Sequence, residues 1–355
     1  MDEVRIGDFS IEELQLAARN HGMPLEALRY EITPVGLHYL LTHYDIPAID
    51  PGAWRLSVGG LVRAAMTLGL DDLRARPQVT IPVTMECAGN GRAKLSPRPI
   101  SQPWLAEAIG TAEWTGTPLR ALLEDAGIRS GAVEVVFTGA DHGLEGEIEQ
   151  DYARSLSLAD ALREDVILAY EINGQPLPPQ HGFPLRLLVP GWYGMTSVKW
   201  LEAIEVVAEP FQGYQQTHGY RFRDKPEDEG EAVTRIAPRA MMVPPGYPEF
   251  LSRDRLMAPG PCRLQGRAWS GWGAIEAVQV SVDGGRTWYA AELGVAPGPA
   301  AWAPWSFDWT PSRPGIYELA CRARDAAGNE QPLEPGWNVG GYANNAVQRV
   351  RVTVT

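Results

Sequence analysis

A chain of 355 residues exceeds what one hydrophobic core usually organises, so two domains are expected. With 45% hydrophobic and 21% charged residues the composition is that of an ordinary globular protein. The net charge of −13 excludes nucleic acid as a partner, because phosphate backbones demand a basic surface, and any anionic ligand has to be drawn by a local cluster of cations against the global field.

Twelve Trp and 30 Pro point to turn-rich β structure. No apolar run approaches the ~18 residues that would cross a bilayer. Met1–Ile6 lacks the basic stretch and apolar core of a secretory leader. Three widely spaced cysteines, Cys87, Cys262 and Cys321, do not suggest a disulfide framework. A cytoplasmic location is expected, or a periplasmic one if a leader has been removed.

In chain order, residues 10–30 read as an amphipathic helix capped by Ser10, with Glu12 and Glu13 in its first turn. Leu37 to Tyr44 is apolar and β-prone, closed by Pro47 and Pro51. Trp54 to Gly60 alternates with period two, as a half-buried strand does, and Thr67 to Arg74 reads as a short helix. A strand over Val79–Met85 leads to Cys87; Pro118 to Ala126 is helical and Val133 to Phe137 extended. A helix near Leu158 to Arg163 precedes strands at Val166–Tyr170, Leu185–Val189 and Ile204–Val207. Strands and short helices mix without a strict βαβ repeat, which predicts an α+β class.

Composition changes at Asp224–Glu231, an acidic, aperiodic linker. Beyond it lie short strands at turn spacing, and Asp283-Gly284-Gly285 between two β-forming runs is a hairpin signal. This half reads as an immunoglobulin-like β-sandwich. The expected domains are 1–230 and 231–355.

Chemistry concentrates first at Cys87. A cysteine at a strand end is ordinarily an inert small hydrophobe. Here it opens the turn Ala88-Gly89-Asn90-Gly91-Arg92, whose free amides and guanidinium favour a thiolate. A thiolate suits a soft or high-valent metal. No Cys-x-x-Cys or His/Cys spacing supports zinc, so a metal here is held mainly by a cofactor, with Cys87 as its protein ligand. Gln180 to Arg186 and Met195 to Trp200 supply His181, Arg186, Ser197 and Lys199, a set suited to a polar, phosphate-bearing cofactor or, more blandly, to a turn with surface cations. Gln215 to Arg221 flanks Tyr220 with positive and amide groups, and Arg349 leads into the last strand.

Cys87-Ala88-Gly89-Asn90 with Arg92, Tyr170 to Pro178, His181-Gly182-Phe183-Pro184 with Arg186, and Val198-Lys199-Trp200-Leu201 resemble the sulfite oxidase family in order and spacing. Asn345-Ala346 with Arg349-Val350 resembles the close of that family's C-terminal domain, so the likeness runs from about residue 30 to the end. The resemblance implies a molybdopterin cofactor, a mononuclear molybdenum on a single pterin dithiolene with Cys87 as the metal ligand. It implies cofactor contacts at Tyr39, Thr42, His43, Asp141, His181, Arg186, Ser197, Val198 and Lys199. It implies a substrate pocket of Arg92, Trp104, Tyr220 and Arg349, with the last reaching in from the sandwich. The implied reaction is oxidation of sulfite, a small oxyanion, to sulfate by oxygen-atom transfer. The alternative is reduction of a sulfoxide or other oxo substrate on the same fold.

No Cys-x-x-Cys-His signature is present, so no haem is expected and a separate electron acceptor, a cytochrome or other carrier, is implied. The sandwich resembles the family's dimerisation domain, which implies a homodimer. Three departures bear on substrate: Leu41 and Gly91 stand where the family carries arginines, and Ile100 where it carries a lysine. Loss of one arginine from a buried dianion site costs about 1.5–3 kcal/mol, roughly tenfold to a hundredfold in affinity.

Overall fold

The computed structural model describes residues 9–355; Met1–Ile6, read above for a leader, lies outside them. The first helix, Ile11–Arg19, begins with a reciprocal cap. Glu13 N–H donates to Ser10 Oγ at 3.2 Å and Ser10 N–H donates to Glu13 Oε2 at 3.0 Å. It is shorter than the expected 10–30. Asn20 turns its side chain back to the Leu16 carbonyl, Gly22 lies against Glu107, and Pro24 leaves only a 3-10 turn at Leu25–Arg29.

Two five-stranded sheets build the first half. One runs Met66–Leu68, Leu56–Gly60, Leu201–Val207, Glu134–Glu145, Ile148–Ser157, with Leu56–Gly60 parallel to Leu201–Val207. The other runs Val79–Glu86, Ile109–Pro118, Ile167–Ile172, Gln175–Pro176, with Arg186–Leu188 also paired to Ile167–Ile172. The helix Leu119–Ala126 buries Leu119, Leu122, Leu123 and Ala126 in a core shared with Leu56, Val58, Phe137, Leu168 and Leu187, and so joins the sheets. Thr67 to Arg74 is not one helix. Met66–Leu68 pairs as an edge strand, and the helix begins only at Leu70, after Gly69.

Two features position the site. The hairpin Glu134–Glu145 with Ile148–Ser157 slips register between Thr138 and His142, and Asp141 sits in that irregularity, a common place for a strand to re-aim a side chain. Leu37 to Tyr44 is not a strand. After the 3-10 turn Val35–Leu37 its backbone groups bond elsewhere: the Thr42 amide to Asn20 Oδ1, the Leu41 carbonyl to Lys199 Nζ, and the His43 carbonyl to Arg19. Its apolar side chains therefore line a cavity instead of pairing in a sheet.

The second half is two facing antiparallel-rich sheets. A four-stranded sheet contains Arg239–Met242, Cys262–Trp269, Ala303–Trp309 and Glu292–Leu293. A six-stranded one contains Tyr247–Pro248, Arg255–Met257, Gln348–Val354, Gly315–Asp325, Ile275–Ser281 and Tyr289–Ala290. Ala240, Leu264, Val278, Trp305, Leu319 and Val352 fill the space between them. Asp283-Gly284-Gly285 does lie in a hairpin loop, but a wider one than a two-residue turn. The pairing starts at Val280 with Tyr289, and the Asp283 carboxylate accepts from the Arg286 and Thr287 amides. The chain is α+β with a β-rich C-terminal half. Among the described residues no helix is long and apolar enough to cross a membrane.

Candidate functional site

Val79–Glu86 pairs with Ile109–Pro118 through Glu86↔Ile109, and the Cys87 amide extends the ladder to the Ala108 carbonyl at 2.9 Å. The chain then turns, with Asn90 N–H donating to the Cys87 carbonyl and Arg92 N–H to that of Gly89. Gly91 takes a left-handed φ of +91°, and a Cβ on Gly89 would lie 2.6 Å from the Arg92 guanidinium, so both glycines let Arg92 fold flat against its own turn. Asn90 fixes the turn from behind, donating to Glu86 Oε1 and accepting from the Ala108 amide. Glu86 is itself held by the Trp269 indole at 2.8 Å and by Arg239 at 3.1 Å, both from the second half of the chain. Burial pushes the Cys87 thiol up, with the Arg92 charge and the Gly89 amide pulling the other way.

Cys87 lies in the walls of two adjoining cavities, which also share Leu41, His43 and Tyr220. The smaller one is rich in polar groups. Arg186 donates to the carbonyls of His181 and Ser197 and stacks over Trp114, yet its Nε has no partner. Lys199 Nζ donates to the Leu41 and Gln180 carbonyls at 2.9 and 3.1 Å. Asp141 faces the same cavity with Oδ1 unpartnered, and so does His38 with Nε2 unpartnered. Burial pushes the Asp141 carboxyl up and the Lys199 ammonium down, each charge partly supporting the other. Burial also lowers His38 to about 4, His43 to about 3 and His181 to about 2, so all three imidazoles are neutral at pH 7. His43 Nε2 lies 2.5 Å from the Tyr220 hydroxyl, and its ring stacks on Tyr152 at 4.7 Å.

The larger cavity is drawn from more distant parts of the chain. Arg92 donates through Nε to the Gly340 carbonyl and through Nη1 to that of Gln102, and stacks over Tyr342 at 5.3 Å. Trp104 lines this cavity with its indole N–H unpartnered. Tyr220 takes a left-handed φ of +53°, strained for a tyrosine, and packs on Tyr342. Leu16 and Arg19 of the first helix close one side, and Glu145, held by Gln215 at 2.7 Å, closes another.

Three expected placements differ. Arg349 faces neither cavity: strand Gln348–Val354 alternates inward at Gln348, Val350 and Val352, which turns Arg349 outward onto Glu318 at 2.8 Å and Glu334 at 3.1 Å. The contact between the two halves that was assigned to Arg349 is made instead by Arg239 and Trp269 on Glu86. Val198 is buried in the core and lines neither cavity. Thr42 lines the larger cavity, not the smaller one. Tyr39, His43, Asp141, His181, Arg186, Ser197 and Lys199 line the smaller cavity together with Cys87, and Arg92, Trp104 and Tyr220 line the larger. Sequence reasoning did not single out His38, Tyr152, Gln180, Gln102, Glu145 or Tyr342. Only the apolar–aromatic run holding His38 and the stretch Gln180 to Arg186 carried a local signal.

Among the described residues no group of three or more His, Cys, Asp and Glu could hold a metal ion. A metal beside Cys87 has to arrive with a cofactor, and the buried, unpartnered His38, Asp141 and Arg186 atoms fit a polar, phosphate-bearing one. Residues 43–215 match the family described as the oxidoreductase molybdopterin binding domain, and residues 234–355 the Mo-co oxidoreductase dimerisation domain. Sulfite oxidase of Gallus gallus is 36% identical over 90% of the chain and 72% of its own length. The chain belongs to the sulfite oxidase family of molybdenum oxidoreductases. Mitochondrial sulfite oxidase of Mus musculus is 36% identical over 91% of the chain, which spans 62% of that relative's length. Nitrate reductase of Solanum lycopersicum is 33% identical over 94% of the chain and 40% of its own length. The sulfane dehydrogenase SoxCD from Paracoccus pantotrophus superposes with a TM-score of 0.81 at 27% identity, covering 94% of this chain and 86% of that one.

Proposed function

We propose that this family member oxidises sulfite to sulfate, passing two electrons to a separate acceptor such as a cytochrome. The observation that carries the reading is the position of Cys87 in the wall shared by a polar cavity with unpartnered buried donors and acceptors and a second cavity containing Arg92 and Tyr220. Cys87 would ligate the metal. Tyr39, His43, Asp141, His181, Arg186, Ser197 and Lys199 would hold the pterin, with Arg186 and Lys199 meeting its anionic groups. The bound cofactor supplies two-electron oxygen-atom chemistry.

The protein's own part is binding and proton management. Arg92 keeps donors free beyond its bonds to Gly340 and Gln102, and these orient an oxyanion. Tyr220 presents a hydroxyl already bonded to neutral His43, so a proton released from the water that supplies the oxygen atom has a path out of the cavity. Overall, sulfite and water give sulfate, two protons and two electrons. Match of the second half to a dimerisation domain supports a homodimer with a boundary near residue 230.

Leu41 and Glu145 in the larger cavity favour a second reading, reduction of a less anionic sulfoxide. Molybdenum-loaded protein assayed with sulfite and ferricyanide, beside methionine sulfoxide and a reduced viologen, separates the two. Sulfite turnover is the expected result, and turnover of the sulfoxide alone would replace it.

A further inference from the structure

Arg154 lies directly behind the larger cavity, against Gln215 and Tyr220. It sits on strand Ile148–Ser157 with 2% of its surface exposed. One guanidinium nitrogen donates to the Gln215 carbonyl, the group lies 5.6 Å from the centre of the Tyr220 ring, and Nε has no hydrogen-bond partner. It forms no ion pair among the described residues. Two other buried arginines are balanced by carboxylates, Arg239 by Glu86 and Arg255 by Glu26, whereas Arg92 and Arg186, which face the two cavities, bond to carbonyls as Arg154 does. Glu145, the carboxylate in the cavity wall, is engaged by Gln215 and Tyr44 instead. A buried cation without a counter-ion is costly, and an anion close by lowers that cost.

The wall in front of Arg154 is made of Tyr220, Gln215 and Tyr342, all of which line the cavity that holds Arg92 and Cys87. These groups are aromatic or amide and carry no charge to screen it. His43, the imidazole on the Tyr220 hydroxyl, is neutral. We infer that Arg154 is a positioning residue whose charge, acting from behind Tyr220, gives this cavity its affinity for a small sulfur oxyanion. The inference rests on reading the larger cavity as the substrate site. It offsets the apolar Leu41 and the acidic Glu145 in the same wall. Arg154 is not among the residues singled out from sequence, where its strand Ile148–Ser157 is left unassigned.

Full-length, molybdenum-loaded Arg154→Met and Arg154→Lys proteins test it through two readouts, KM for sulfite and the dissociation constant of sulfate by calorimetry. Arg154→Met is expected to raise both about tenfold while kcat stays within about threefold, and Arg154→Lys to recover most of the loss. Should Arg154→Met fail to fold, Arg154→Gln against Arg154→Lys makes the same comparison. Unchanged constants in the neutral variant overturn the proposal, as does a lysine variant as weak as the neutral one, which would mark a packing role. Wild-type protein that binds sulfate without oxidising sulfite defeats the sulfite reading, and Arg154 is then judged on sulfate affinity alone. Wild-type protein that binds no sulfate overturns the Arg154 assignment.

Discussion

The two cavities that meet at Cys87 are built differently. The smaller is lined by neutral imidazoles, Arg186, Lys199 and Asp141, all from the first half of the chain: His38 to His43, the long hairpin, and the stretches on either side of Arg186–Leu188. The larger takes Leu16 from the first helix, Arg92 and Trp104 from the cysteine loop, Glu145 from the long hairpin and Tyr342 from the second half. The larger one thus joins the two halves of the chain, and Leu41, which lines both cavities, stands where the family resemblance carries an arginine. The contrast explains why cofactor class is firmer than substrate.

The largest expected effect strikes the group that the cavities share. Cys87→Ser removes the proposed ligand with a near-isosteric side chain at a buried position, so the fold is expected to survive while turnover falls by about a thousandfold or more. Circular dichroism and metal analysis accompany the assay; full activity in a molybdenum-loaded variant would sink the ligand role. The cavities are then separated by a pair of substitutions. Arg186→Met is expected to lower bound molybdenum per chain about tenfold, since it removes a buried cation from the cofactor side. Arg92→Met is expected to leave molybdenum content intact and raise KM for sulfite about tenfold to a hundredfold. Loss of metal in both variants would mean that the cavities are one site and erase the contrast.

Much of the smaller cavity was legible in the sequence because its residues fall in short motifs, His181 to Arg186 and Ser197 to Lys199, whose local turns bring them to one place. The larger was legible only in part. Arg92 and Trp104 follow Cys87 closely, but Tyr342 and Glu145 come from regions 250 and 58 residues away from Arg92 and Cys87 respectively, by their numbering, and no local pattern marks them. Secondary structure shows the same division. Ser10 capping and the Val79–Glu86 strand are decided by neighbours in sequence. Leu37–Tyr44 has strand-like side chains, yet beyond a single bridge between Leu40 and His21 its backbone partners include Asn20, Arg19 and Lys199, which only the assembled fold supplies.

Behind the shared wall, Glu86 ties the cysteine loop to the second half through Trp269 and Arg239. Glu86→Gln keeps the shape and removes the charge opposite Arg239, leaving a buried cation uncompensated. A loss of about 3 kcal/mol is expected, read as a lower midpoint in denaturant with an unchanged slope. If stability is kept, the network is not what holds the loop against the second half. Either result bears on how rigidly the two cavities share Cys87.

The smallest expected effect concerns Arg349, which the family resemblance places in the substrate pocket and the strand period turns outward. Its ion pairs to Glu318 and Glu334 are solvent-exposed, and pairs of that kind contribute about 0–1 kcal/mol each. Arg349→Ala is therefore expected to leave KM for sulfite within about twofold and to lower stability by less than about 1 kcal/mol, in contrast to the loss expected for Arg92→Met. The two variants remove the same charge, one from the surface and one from the cavity wall. A KM increase for Arg349→Ala equal to that of Arg92→Met would return Arg349 to the substrate cavity, and would require the last strand to present a different face from the one described.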